Sequence, residues 1–250
     1  MESRVALISG STAGLGLDLA VKLARAGHAV AVNGRSPERV DAAVAHVETE
    51  VEGAKVHAAP ADISDPDQVD AMVEAARGAL GPIGMFVHSA VLRNERTLVE
   101  TTNEVWNDNI GACLNGAFYC TRAVLPDMLE RGWGRVIYFG GISTQLGSPG
   151  RAALIAAKNG LYGLTKAVSA EVGHRNVTVN AVSPGVIEDE PEAMPDDDRT
   201  ERRRALVEGA RIPRFGTTAE VNAMVLFLLG EEAGYITGQH LAVTGGLVPC

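Results

Sequence analysis

The sequence predicts one α/β domain built on a doubly wound, seven-stranded parallel sheet. Three observations predict it. Short apolar runs alternate with helical patterns along most of the chain. A glycine-rich turn, Gly10 to Gly16, follows the first apolar run and opens the first helical pattern. The 250 residues, 46% of them hydrophobic, suffice for one large core, and no internal repeat or second domain interrupts them.

The elements follow in order. Val5-Ala6-Leu7-Ile8 reads as a buried strand and 14–26 as a helix. Ala29 to Val32 is the next strand. A helix over 37–51 carries Pro37 in its first turn, where proline is tolerated. Lys55 to Ala58 and Ile83 to Val87 are strands three and four, separated by a helix over 66–80. A long helix spans 103–131, Val136 to Phe139 is a strand, 152–173 a helix and Val177 to Val182 a strand. Residues 185–215, with Pro191, Pro195 and Pro213, break the rhythm and are read as a mobile acidic lid over the active site. Thr217 and Glu220 form a capping box for a last helix to Leu229, before the strand His240 to Val243. Strand–helix–strand repeats of this spacing give right-handed crossovers and a parallel sheet.

Charge and cysteine content narrow the function classes. The net charge of −9 and the absence of a Lys/Arg cluster argue against a nucleic-acid surface. The short run Arg202-Arg203-Arg204 follows Asp196-Asp197-Asp198 and reads as a solvated helix face. Three cysteines, Cys113, Cys120 and Cys250, form no CxxC and fit a reducing cytoplasm. No charged leader and no membrane-length apolar run is seen, so the expected location is cytoplasmic. No His/Cys/Asp group has metal-ligand spacing, and no metal is expected.

The turn Ser9-Gly10-Ser11-Thr12-Ala13-Gly14-Leu15-Gly16 carries the first chemistry. Glycines there permit a tight turn and close approach of backbone to a pyrophosphate, and the helix that follows offers free N–H groups. Gly10, Ser11, Thr12, Gly14, Leu15 and Gly16 are therefore candidate cofactor-binding residues. The second strand ends in Asn33-Gly34-Arg35-Ser36. A dinucleotide site selective for NAD carries an acid there, and here Gly34 holds that place. Arg35, beside the hydroxyl of Ser36, suits a 2′-phosphate, so NADP(H) is the expected cofactor.

These segments, with Gly134-Arg135-Val136-Ile137, Asn180-Ala181-Val182-Ser183-Pro184-Gly185-Val186-Ile187 and Tyr235-Ile236-Thr237-Gly238-Gln239, resemble the short-chain dehydrogenase/reductase superfamily from about residue 4 to 248. The resemblance implies a Rossmann-type fold, an oxidoreductase activity and a homodimer or homotetramer. It also implies that Asp62 and Ile63 meet the adenine, that Ser89 and Ala90 border the cofactor, and that Pro184, Gly185 and Ile187 line the nicotinamide. Lys158 is implied to hold the nicotinamide ribose.

The departures from the family lie at the active site. The family places a Tyr four residues before the Lys, where this chain has Leu154. The family Ser, 13 residues before that Tyr, is Gly141, and the family Asn is Cys113. Asp189 takes the place of a Thr that often touches the cofactor. Of the four catalytic positions only Lys158 is kept. Ser143, two residues past Gly141, and Tyr162, one helical turn past Lys158, are the candidates to replace lost chemistry. Lys158 itself is a further candidate as proton donor or amine. His88 and Tyr138 read as structural.

Three functions stay open at this level. One is an NADPH-dependent reductase of a conjugated C=C or an iminium-like C=N, a substrate that needs no tyrosine acid. Another is a non-redox cyclase, lyase or isomerase on the same scaffold. The third is a cofactor-binding, non-catalytic subunit. Seven acids between Glu188 and Asp198 favour a neutral or cationic small molecule over a polyanion.

Overall fold

A computed structural model describes residues 4–92, 94–188 and 198–248. Seven strands, β1 (Val5–Ser9), β2 (Ala29–Gly34), β3 (Val56–Pro60), β4 (Ile83–His88), β5 (Gly134–Phe139), β6 (Val177–Pro184) and β7 (His240–Val243), form one sheet in the order β3-β2-β1-β4-β5-β6-β7. Every neighbouring pair is parallel. The order reverses between β1 and β4, where a doubly wound sheet opens a crevice at the carboxyl ends of its strands.

Alternation along the strands divides the core into two layers. Val5, Leu7, Phe86, Val136 and Tyr138 face α3 (Pro66–Leu80), α5 (Gly116–Arg131) and α7 (Ala152–Val172). Ala6, Ile8, Val30, Val32 and Ile137 face α1 (Gly14–Arg25), α2 (Pro37–Glu50) and α9 (Thr218–Leu229). The strands are buried on both faces, which is why they read as continuous apolar runs rather than alternating ones.

Three features differ from the sequence expectation. The helix expected over 103–131 begins as α4 (Asn103–Ile110) and passes through a π turn at Gly111–Asn115 before α5. A π turn widens the backbone ladder by one residue and leaves no mark in hydrophobic spacing. A four-residue helix, α6 (Ser143–Leu146), follows β5 and carries Ser143. The region expected as a mobile lid, in which Arg202-Arg203-Arg204 read as a solvated helix face, contains helix α8 (Asp198–Glu208), whose bounds its strongly polar sequence hides from periodicity. The rest of the acidic stretch, with Asp189, lies outside the described residues, as does Cys250. The capping box appears as expected, with Thr217 and Glu220 each accepting from the other's backbone N–H.

Opposite the crevice, Trp133 lies between two guanidiniums, Arg4 at 3.6 Å and Arg135 at 4.5 Å from the ring centroid. Its indole N–H donates to Glu231 at 2.9 Å. The stack joins the start of β1, the start of β5 and the end of α9, and cation–π contacts gain strength where water is excluded. Trp133→Ala is expected to lower unfolding free energy by about 3–5 kcal/mol. Denaturant unfolding followed by circular dichroism measures it, and a loss below about 1 kcal/mol would show that the stack is not structural.

Candidate active site

The crevice is built first by glycines. Gly10 has φ +66°, and a Cβ there would stand 2.6 Å from the Cα of Ala90. The turn after β1 therefore packs directly on the backbone that leaves β4. A Cβ on Gly16 would meet the Gly10 carbonyl at 2.7 Å, so α1 can start this close to the turn only without a side chain. Ser11 and Asn33 stand behind this turn. Ser11 donates to the Ile8 carbonyl and accepts from the Asn33 N–H, while Asn33 receives the Gly10 N–H and donates to Ala59. Both are buried, and their polar atoms brace the turn.

The front of the turn is open. Helix α1 begins after Ala13 with no side-chain cap and no acid in its first turn, whereas α2, α3, α4 and α9 are capped by Ser36, Asp65, Thr102 and Thr217. Uncapped N–H groups and a positive helix end at a strand's carboxyl edge suit a phosphate. At the end of β2, a Cβ on Gly34 would stand 2.6 Å from the methyl of Thr12, so a side chain there requires the Thr12 side chain to move. Arg35 is exposed and Ser36 is committed to capping α2. Asp62 is bonded to Ser64, and Ile63 is buried against Gly116, where a Cβ would meet it at 2.8 Å. Gly185 lies against Thr244, with a Cβ only 2.7 Å from its Cα.

His88 closes the crevice floor. Its Nε2 is 3.0 Å from the Cys113 carbonyl in the π turn, and its Nδ1 is 2.9 Å from the Ser9 hydroxyl. A carbonyl only accepts, so Nε2 carries the proton and Ser9 donates to Nδ1. Burial, and then the nearby Lys158 ammonium, push the His88 pKa down to about 3. Lys158 is buried, which lowers its own pKa, and its Nζ donates to the Phe139 carbonyl at 2.6 Å. Cys113 and Cys120 are buried thiols; burial pushes Cys120 up to about 12, which leaves it inert. Tyr138 is fully buried and bonded to Thr121.

Near Lys158 lie two of the positions that the sequence singled out, Leu154 and Gly141. Leu154, half-buried, lies one turn before the lysine on α7. A Cβ on Gly141 would meet a single neighbour, the Ser143 hydroxyl at 4.0 Å. The Ser143 hydroxyl has no hydrogen-bond partner among the described residues, so it is available to a ligand. Tyr162 is placed differently. Its hydroxyl is 2.8 Å from both Thr144 and Ser183, behind Gly140, where a Cβ would collide with it. Ser183 lies 2.6 Å from His240 Nε2, and the Tyr162 and His240 rings stack with centroids 3.9 Å apart. Sequence reading missed Ser9, Ser183 and His240. The helical spacing of Lys158 and Tyr162, and Thr144 as a weaker counterpart of Ser143, pointed toward this cluster.

Comparison with known proteins decides the family. A family model described as enoyl-(acyl carrier protein) reductase matches residues 10–248. The 3-oxoacyl-[acyl-carrier-protein] reductase FabG of Staphylococcus aureus is 33% identical over 247 residues, 98% of each chain. The chain belongs to the short-chain dehydrogenase/reductase superfamily. The acetoacetyl-CoA reductase of Allochromatium vinosum is 34% identical over 245 residues, again 98% of each chain. A gluconate 5-dehydrogenase from Burkholderia cenocepacia, solved in complex with NADP and tartrate, superposes with a TM-score of 0.90. It is 29% identical and covers 99% of this chain and 96% of its own. Among the described residues no helix is long and apolar enough to cross a membrane, and no three His, Cys, Asp or Glu side chains converge on a metal position.

His88 is expected to stay neutral, with its proton on Nε2, at about pH 5; imidazole nitrogen NMR reads both. Because its folded pKa of about 3 is below the ordinary histidine value of 6.5, the unfolded chain binds the extra proton first. Its contribution to stability is therefore complete above the unfolded value and lost as pH falls toward the folded one. A His88 resonance titrating near its ordinary pKa would refute the buried assignment.

Proposed function

We propose that this chain is an NADP(H)-dependent reductase whose substrate accepts hydride without a tyrosine acid. A conjugated C=C or an iminium-like C=N has that chemistry. The observation that carries the reading is Leu154 one turn before the buried Lys158, on the helix where the superfamily places its proton donor. Leucine has no proton to give, and the open space at Gly141 offers no hydroxyl of its own. The description of the matching family as an enoyl reductase points the same way.

The cofactor reading rests on fit. Gly34 puts no acid at the end of β2, Arg35 is exposed beside it, and the α1 N-terminus is uncapped. Arg35 would pair with the 2′-phosphate, and the N–H groups at Gly14 to Gly16 would face the pyrophosphate. Bound here, NADPH supplies the hydride. Lys158, its Nζ fixed on the Phe139 carbonyl, keeps further N–H groups for the ribose. Ser143 donates its free hydroxyl to the substrate and orients it, the part that a Ser at position 141 plays in the superfamily. Exposed Trp106 on α4 and Phe118 on α5 suit a homo-oligomeric contact through these helices.

A second reading has its own support: the relatives at 33% and 34% identity are named as 3-oxoacyl and acetoacetyl-CoA reductases. The two readings separate in one assay. NADPH oxidation is measured with a 2-enoyl thioester, a cyclic iminium and a 3-oxoacyl thioester, and turnover is expected with the first or second. Turnover of the 3-oxoacyl thioester alone would overturn the first reading.

Arg35→Ala is expected to weaken NADPH roughly 10- to 150-fold, one charge-assisted bond of about 1.5–3 kcal/mol, and to leave NADH unchanged. Fluorescence titration measures both, and equal loss for the two cofactors would remove the phosphate contact. The triple variant Cys113→Asn, Gly141→Ser, Leu154→Tyr is expected to raise reduction of simple ketones by about 10²–10⁴-fold, the usual contribution of a positioned acid. Wild-type protein that already reduces ketones as fast as the triple variant would mean that another group supplies the proton.

A further inference from the structure

The hydroxyl cluster behind Gly140 has a direction that the atoms themselves fix. Thr144 Oγ1 is 2.6 Å from the Gly141 carbonyl, which can only accept, so the Thr144 proton is committed there. The contact between Thr144 and Tyr162 must then use the tyrosine proton, and that between Tyr162 and Ser183 must use the serine proton. His240 Nε2 must donate to Ser183, which also accepts the Gly141 N–H at 3.1 Å. The result is a closed circuit. It leaves the Gly141 backbone at its N–H, passes through Ser183, Tyr162 and Thr144, and returns to the carbonyl of the same residue.

Two consecutive glycines leave β5 here, and glycine pairs are the most conformationally free of dipeptides. The circuit removes that freedom. It also requires it, because a side chain at 140 would collide with Tyr162 and stand 2.6 Å from Ser183 Oγ. Ser143 lies two residues further on, on the same short helix as Thr144. We propose that Tyr162, Ser183 and His240 are positioning residues that lock the Gly140-Gly141 hinge and so hold the Ser143 hydroxyl at the substrate space. The hinge lock stands on the geometry alone; its consequence for Ser143 rests on the function proposed above. The directed chain ends on a carbonyl and delivers no proton to substrate.

Amide hydrogen exchange of the full-length protein, read on peptides covering 140–147, tests the lock without a substrate. Tyr162→Phe keeps the ring stacked on His240 and deletes the hydroxyl. It is expected to speed exchange in this segment about 3- to 10-fold, one hydrogen bond's worth, with the unfolding midpoint within about 3 °C of wild type. His240→Leu, at the sheet edge, is expected to do the same, and His240→Gln, which keeps a donor, to restore protection. Unchanged exchange in Tyr162→Phe and His240→Leu, or no difference between His240→Leu and His240→Gln, would overturn the proposal. With whichever substrate the assay panel identifies, Tyr162→Phe should lower kcat in the wild-type background and not in Ser143→Ala. Faster exchange together with full activity in Ser143→Ala would keep the lock and overturn the role given to Ser143.

Discussion

The site depends on one buried imidazole. His88 ends β4 at the point where strand order reverses, and it holds two separate elements at once. Through Nδ1 it fixes Ser9 at the end of β1, and through Nε2 it holds the π turn between α4 and α5. Burial keeps it neutral, and neutrality is what lets one nitrogen accept while the other donates. A charged ring would donate from both nitrogens, reversing the Ser9 bond, and would face the Lys158 ammonium. Desolvation also lowers the Lys158 pKa, and the Lys158 ammonium in turn disfavours charge on His88.

Around that floor the crevice is shaped by what glycine leaves out. Gly10 admits the backbone at Ala90, Gly16 admits the start of α1 against the turn, and Gly185 admits Thr244. These are backbone contacts, so no rotamer change would relieve an added methyl. The polar residues behind the turn, Ser11 and Asn33, spend their atoms on neighbouring backbone and make the turn rigid before any ligand arrives. Rigid N–H groups bind an anion without an ordering cost at the moment of binding.

The parallel seven-stranded sheet, the places of its strands and the glycine turn were legible in the sequence because each has a periodic or punctuating signal. Buried parallel strands read as short apolar runs, and the capping box at Thr217 and Glu220 read as a helix start. The π turn was not legible, since adding one residue to a helical ladder leaves composition unchanged. The bounds of helix α8 were hidden by its charges, and only its Arg202-Arg203-Arg204 face was read. The circuit through Thr144, Tyr162, Ser183 and His240 joins residues up to 96 positions apart. Its members are ordinary polar residues whose meaning comes only from β5, β6 and β7 being adjacent. The absence of a tyrosine at position 154 was plain in the sequence, but what surrounds the resulting space was not.

That surrounding bears on whether the site has merely decayed. Decay removes groups independently and leaves their neighbours unadjusted. At Gly140 a side chain has no room, because the Tyr162 and Ser183 hydroxyls occupy its place. At Gly141 the lack of a side chain leaves room beside the Ser143 hydroxyl, which bonds no other described residue. The backbone of Gly141 is held at both its N–H and its carbonyl, more tightly than a tolerated loss requires. Room at one residue beside a hydroxyl carried by another is what the proposed reductase requires. The buried Lys158 and the uncapped helix α1 are compatible with the cofactor which that proposal requires.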